Sequence, residues 1–109
     1  MQRAEVWWAA WPPGQRHPVL VLSWDAGRGR RTQVTLAEVT TTVRGHAQEV
    51  SLGPTDGMPR ACVANLDRLV TIPGSLLARR ITTLTAGRMA EVERAIHLAM
   101  GIRLPCRVT

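Results

Sequence analysis

The sequence predicts an α+β, mainly β fold: a small, strongly bent sheet or partly open barrel followed by one C-terminal α-helix. Three observations lead there. Short β-prone runs punctuated by glycine and proline turns fill the first two thirds of the chain. Near residue 85 the apolar pattern changes to steps of three and four. The length, 109 residues, suits a single domain spanning 1–109 with one modest core.

The first strand is read over Glu5-Val6-Trp7-Trp8-Ala9-Ala10-Trp11, which is aromatic, β-prone and stopped by Pro12-Pro13-Gly14. Strand faces alternate, so Trp7, Trp8 and Trp11 cannot all point inward. Pro18 opens Val19-Leu20-Val21-Leu22-Ser23-Trp24, an apolar run too short for a helix and read as a strand buried on both faces. A Gly/Arg loop, Asp25 to Arg31, leads to β character from Gln33 to Thr42. Glu49-Val50-Ser51-Leu52 alternates cleanly and ends in the turn Gly53-Pro54-Thr55-Asp56-Gly57. Ala61 to Leu66 and Leu69 to Ile72 are expected as two further strands, closed by Pro73-Gly74. Ser75 to Ala78 suggests one helical turn and Ile81 to Leu84 another short strand. Thr85 is the expected N-cap of a helix from Ala86 to Met100, with Met89, Val92, Ile96, Ala99 and Met100 as its apolar stripe. Gly101 is placed to end it.

The chain contains no Lys, Tyr or Phe; its 14 basic residues are all Arg against eight acids, for a net charge of +6. Guanidinium forks match phosphate geometry, so this surplus points to a polyanionic partner, although a GC-rich genome also writes Arg in place of Lys. Cys62 and Cys106 form no CxxC pattern and are expected as free thiols. His17, His46 and His97 have no ligand spacing, so no metal site and no cofactor are expected. Neither a membrane span nor a signal-peptide core is visible, and a cytoplasmic protein is expected.

One cluster stands out. Arg16, His17, Arg28, Arg30, Arg31 and Arg44 fall between residues 16 and 44, with Asp25 and Glu38 the acids there, interleaved with threonine hydroxyls. Such a set binds phosphates, and it can also do chemistry. RNA carries its own nucleophile, the 2′-OH; a protein need only take that proton, protonate the departing 5′ oxygen and neutralise the phosphorane. DNA lacks the 2′-OH.

The ordered motifs resemble the MazF/PemK (Kid) family of toxin endoribonucleases. Arg3-Ala4-Glu5-Val6-Trp7 resembles its "RGEVW" opening, and Pro18-Val19-Leu20-Val21-Leu22-Ser23 its "RPVLVVSND" strand, with Asp25 at the aspartate. Val39-Thr40-Thr41-Thr42-Val43-Arg44 resembles its "P(I/V)TST" strand. Leu52-Gly53-Pro54-Thr55-Asp56-Gly57 through Val63-Ala64-Asn65-Leu66-Asp67 resembles "LGPEDGL…SVVNLDNLVT". Leu77-Ala78-Arg79-Arg80-Ile81 and the terminal helix follow in the family's order, so that five ordered motifs cover nearly the whole chain. The resemblance implies an SH3-like (CcdB/MazF-type) partly open barrel, a homodimer, cleavage of single-stranded mRNA, and inhibition by an acidic, MazE-like antitoxin.

It also implies a site. The family's strand-three threonine falls on Thr40, while the position of its arginine before the proline holds His17, with Arg16 one residue earlier. Either His17 takes the acid–base role, or Arg16 reaches in, or the site is impaired; histidine's ordinary pKa near ~6.5 suits proton transfer at neutral pH. Ser23, Trp24, Arg28, Arg30, Arg31, Thr41, Thr42 and Arg44 are the expected RNA-binding residues, Trp24 as a stacking platform. The connection Pro12 to Arg16 is shorter than in many relatives, so substrate preference does not carry over. A CcdB-like protein-binding toxin (a gyrase inhibitor) and an inactive antitoxin-binding homologue are the alternatives; a C-terminal Trp-Gly-Ile is missing from this chain.

Overall fold

Six antiparallel strands form one sheet in the order β4-β5-β3-β2-β1-β6, with the α-helix after the last strand. The computed structural model describes residues 2–23 and 33–101. The strands are β1 (Glu5–Ala9), β2 (His17–Val21), β3 (Gln33–Thr40), β4 (Glu49–Leu52), β5 (Cys62–Pro73) and β6 (Leu77–Thr83), and α1 is Ala86–Ala99. Strands β4 and β6 are the sheet's two unpaired edges, so the barrel is open.

The alternation of side chains divides the core in two. Val6, Leu20, Ala37 and Val39 face one way and pack with Leu66, Met89 and Val92 under the helix. Ala9, Val19, Leu36 and Ile72 face the other way and are covered by Trp7 and Trp11. Val19, Leu20 and Val21 are all buried, as a strand flanked by sheet on both sides and covered on both faces requires. Each such side chain contributes roughly 1.5–3 kcal/mol relative to exposure.

The helix begins as its sequence dictates. The Thr85 side chain accepts a hydrogen bond from the Arg88 backbone N–H at 3.2 Å, and Gly101, at φ 68°, follows its last turn. Its buried stripe is Met89, Val92 and Ala95, with Ile96 and Ala99 partly buried. Met100 is 59% exposed, against expectation, because the helix ends before it and the chain turns out of register.

The expected strands at Ala61–Leu66 and Leu69–Ile72 are one strand, β5, interrupted by a bulge. Glu38 pairs with Asn65 but its neighbour Ala37 pairs with Leu69, so Leu66-Asp67-Arg68 loop out. The Asn65 side-chain oxygen accepts from the Asp67 N–H at 2.9 Å and fixes the bulge as an Asx turn. β3 stops at Thr40, two residues short of expectation, and β1 stops at Ala9. The turn expected over Ser75–Ala78 is a 3₁₀ turn at Gly74–Leu76, and the last strand starts earlier, at Leu77.

An ion-pair cluster ties helix to sheet. Arg88 Nε donates to Asp56 Oδ1 at 2.9 Å and its Nη1 to Glu91 at 3.0 Å, while Asp56 also accepts from the Gly53 N–H at 2.9 Å. Burial works against ionising Asp56 but is outweighed by these bonds, so its carboxyl titrates below the usual carboxylate range. Glu5 behaves alike: burial is outweighed by donation from the Trp7 indole and the Gln2 N–H and by nearby Arg80, the ion-pair arginine of the Arg79-Arg80 pair. Gly57 closes the Asp56 turn at φ 89°, and a Cβ there would lie 2.8 Å from Thr82 Cβ.

Two predictions follow from these contacts. Ala4 has φ 81°, where the family's opening motif carries glycine. A left-handed alanine costs about 1–2 kcal/mol, partly offset by the greater freedom of an unfolded glycine. Ala4→Gly is therefore expected to stabilise the fold by about 0.5–1 kcal/mol, a rise in Tm of a few degrees in thermal melts. The depressed Asp56 and Glu5 carboxyls stabilise the fold above their unfolded pKa values of about 4, and that contribution is lost as pH falls through their lower folded values. Denaturant unfolding should show stability declining below about pH 4, with Asp56→Asn less stable by about 1.5–3 kcal/mol at pH 7 and flatter in acid.

Candidate active site

The site is built where two strands part. Strand β2 pairs with β1 from its first residue, His17 opposite Ala9 and Pro18 opposite Trp8. On its other side it pairs with β3 only from Val19, opposite Glu38. Continuing that register would set His17 against Thr40, but the ladder does not continue, and Pro18 has no N–H to offer it. Thr40 is meanwhile held by β5, opposite Val63. Each residue is anchored by its outer neighbour, and the gap between them opens into a groove.

That groove has a volume of about 390 Å³ and is lined by Trp8, His17 and Pro18 from β1 and β2, by Val39, Thr40 and Thr41, and by Met58, Pro59, Arg60 and Cys62. The Arg16 guanidinium lies over the Trp8 ring, 5.9 Å from its centroid. His17 Nε2 lies 2.8 Å from the Gln15 side-chain oxygen. Thr40 Oγ1 accepts a hydrogen bond from the Thr42 N–H at 3.1 Å, which leaves its hydroxyl proton free to donate outward. Burial, then the nearby Asp56 charge, pushes the Cys62 thiol up, away from its thiolate form.

On the other side of Thr40 lies a polar groove of about 380 Å³, lined by Glu38, Thr42, Arg44, His46, Asn65, Asp67 and Arg68. The Glu49 carboxylate accepts from the backbone N–H groups of Arg44 and Gly45 at 2.9–3.1 Å and fixes the loop that carries Arg44. The β5 bulge supplies Asp67 and Arg68 to the same groove. Thr40 is thus a shared wall, apolar chamber on one side and charged trough on the other.

Of the residues singled out from sequence, His17, Thr40 and Thr41 come together in the first groove, with Arg16 beside it on Trp8. Thr42 and Arg44 come to the second. Ser23 is not brought to either: it follows the far end of β2, and its hydroxyl accepts from the Thr35 N–H at 3.2 Å, a link between β2 and β3. Trp24, Arg28, Arg30 and Arg31 lie outside the described residues. Sequence reasoning passed over Arg60, Trp8 and the bulge residues Asp67 and Arg68. The signal for Arg60 is its place just before β5, whose residue Val63 pairs with Thr40. His46, noted from sequence only for its lack of ligand spacing, lines the polar groove. Among the described residues no group of three His, Cys, Asp or Glu converges as a metal site requires.

Comparison with known proteins gives the family of this fold. Residues 2–100 match the family model of PemK-like, MazF-like toxins of type II toxin–antitoxin systems. The chain is 39% identical over 106 residues to the probable endoribonuclease MazF5 of Mycobacterium tuberculosis, covering 95% of this chain and 93% of that one. Among solved structures, the M. tuberculosis toxin MazF-mt6 superposes with a TM-score of 0.82 at 33% identity, over 91% of this chain and 98% of that one. A mycobacterial endoribonuclease in complex with its cognate antitoxin gives a TM-score of 0.83 at 26% identity, over 96% and 99%. With the match running through every strand and the helix, the chain belongs to the PemK-like, MazF-like family of toxins.

Proposed function

We infer that this chain is an endoribonuclease toxin that cuts single-stranded mRNA at short sequence motifs through attack of the 2′-OH on the adjacent phosphorus. The observation that carries the reading is the meeting of His17 and Thr40 across one groove, with the Arg16 guanidinium at its edge. In the reaction the 2′ oxygen loses its proton to a base and bonds to phosphorus. The bond from phosphorus to the 5′ oxygen breaks, and that oxygen takes a proton. The products are a 2′,3′-cyclic phosphate and a 5′-OH.

The residues divide these tasks by their chemistry. His17 is the proton carrier. With the Gln15 oxygen accepting from Nε2–H, the neutral ring presents Nδ1 as its basic atom, and the Gln15 contact holds that tautomer. Thr40 donates its hydroxyl proton to a non-bridging phosphate oxygen. Arg16 neutralises charge as the phosphorane forms; a guanidinium is a poor proton carrier at neutral pH but a good electrostatic clamp. Arg44, with Thr41 and Thr42, holds neighbouring stretches of the strand, and Ser23, Trp24, Arg28, Arg30 and Arg31 remain candidates for RNA contact.

The active form is proposed to be a homodimer in the cytoplasm, restrained by an acidic antitoxin peptide that competes with RNA for the same basic grooves. No helix among the described residues is long and apolar enough to cross a membrane.

The test is incubation of purified protein with a long single-stranded RNA in EDTA, followed by end mapping. Discrete fragments with 2′,3′-cyclic phosphate and 5′-OH ends are expected; intact RNA at equimolar protein contradicts the reading. His17→Ala should slow cleavage by roughly 10²–10⁴-fold, with folding unchanged by circular dichroism. An unchanged His17→Ala rate together with a comparable loss in Arg16→Ala moves the proton-transfer role to Arg16. Thr40→Val, which keeps the β-branched shape and removes the donor, should cost up to about 10²–10³-fold in kcat.

A further inference from the structure

The first groove is oddly built for a phosphate alone. Beyond His17, Thr40, Thr41 and Arg60 its wall is apolar, made by Trp8, Pro18, Val39, Met58, Pro59 and Cys62. A phosphodiester is anionic and hydrated and gains nothing from such a wall. A nucleobase is flat, apolar on its faces and polar at its edge, and gains a good deal. The cavity, about 390 Å³, lies within the ~300–1,000 Å³ typical of small-ligand pockets.

Trp8 differs from its neighbours in ways that matter here. Trp7 and Trp11 cover the second core cluster, and the Trp7 indole N–H is tied to Glu5 at 2.9 Å. Trp8 faces the groove, and its indole N–H has no partner among the described residues. The Arg16 guanidinium sits over the ring and restrains it. Arg60, exposed at the pocket mouth, has no acid partner among the described residues and carries five donors.

We propose that this chamber is a nucleobase subsite: the base of one nucleotide flanking the cleaved linkage packs against Trp8, Arg60 donates to its edge, and its phosphate lies between His17 and Thr40. The proposal rests on the endoribonuclease reading and adds where specificity is read. Continuity with the catalytic pair argues for an RNA base as the occupant: a strand whose phosphate reaches Thr40 has a base within one nucleotide of this chamber.

The test uses a short single-stranded RNA containing one mapped cut, and versions in which each residue around the cut is an abasic ribose that keeps its 2′-OH. With the unaltered protein, one position next to the cut is expected to lose roughly 10- to 100-fold in kcat/KM, mostly through KM, with its neighbours changed far less. Trp8→Ala should lower kcat/KM on the intact RNA by a similar factor and erase the abasic penalty at that position, while Trp8→Phe keeps part of it. Cleavage with a flat abasic profile leaves the chamber to a side chain of a protein partner and overturns the proposal; this arm needs no variant to fold. A penalty that persists undiminished in folded Trp8→Ala overturns it as well, with the nuclease reading intact. Failure of the unaltered protein to cut any RNA overturns both.

Discussion

The separation of β2 from β3 is the constraint on which the rest of the site depends. Two adjacent strands share a ladder from Val19 and Glu38 onward, then diverge, each kept straight by its outer neighbour. Had the ladder continued, His17 and Thr40 would face each other as an ordinary cross-strand pair, about 4.5–5.5 Å apart between Cβ atoms, with no room for a phosphate. Parting the strands removes that pair from the sheet and leaves two polar side chains on rigid backbone around a gap. The proline at 18 makes the divergence cheap, since it removes a donor that a continued ladder would require.

The distribution of ion pairs sharpens this picture. Arg3, Arg80 and Arg88 are matched with Glu93, Glu5 and Asp56, at the helix and the outer edge of the sheet. Arg16, Arg44 and Arg60, which line or border the two grooves, have no acid partner among the described residues. Arg68 is the intermediate case, exposed and 3.8 Å from Glu38. Arg79 and Arg94, which line neither groove, also have no acid partner among the described residues, so unpaired positive charge borders the grooves without being confined to them. The +6 total alone does not convey this.

Much of the fold was legible because it rests on local signals. Thr85 caps the helix, Glu49–Leu52 alternates, and Val19–Val21 is apolar throughout; each follows from residues within one element. What was not legible depends on pairing across the chain. Asp67 and Arg68 look like a break between strands, and only the register against β3 reveals one strand in which Leu66 to Arg68 have no partner on β3. Met100 fits the helical period, yet the helix stops short of it. The same division holds at the site. His17 and Thr40 were visible through motifs and charge, whereas Arg60 and Trp8 join them only because β5 and β1 flank the strands that carry them. Ser23 sits in a matching motif but spends its hydroxyl on a backbone N–H.

In the proposed mechanism, histidine before Pro18, where the family motif has arginine, changes the division of labour. Arginine there offers permanent charge and a fork for phosphate, and an imidazole offers a proton that moves at neutral pH but less charge. A site that made this exchange alone would lose electrostatic stabilisation of the phosphorane. On the proposed reading the charge comes from Arg16, stacked on Trp8, and from Arg60, which lines the same chamber. The exchange also explains why Gln15 matters. An arginine needs no tautomer, but a histidine acting as base must present the right nitrogen, and a carboxamide oxygen 2.8 Å from Nε2 selects it. In the proposed mechanism the proton carrier His17, the charges of Arg16 and Arg60 and the orienting contact to Gln15 therefore act together, four residues where the family motif places one arginine.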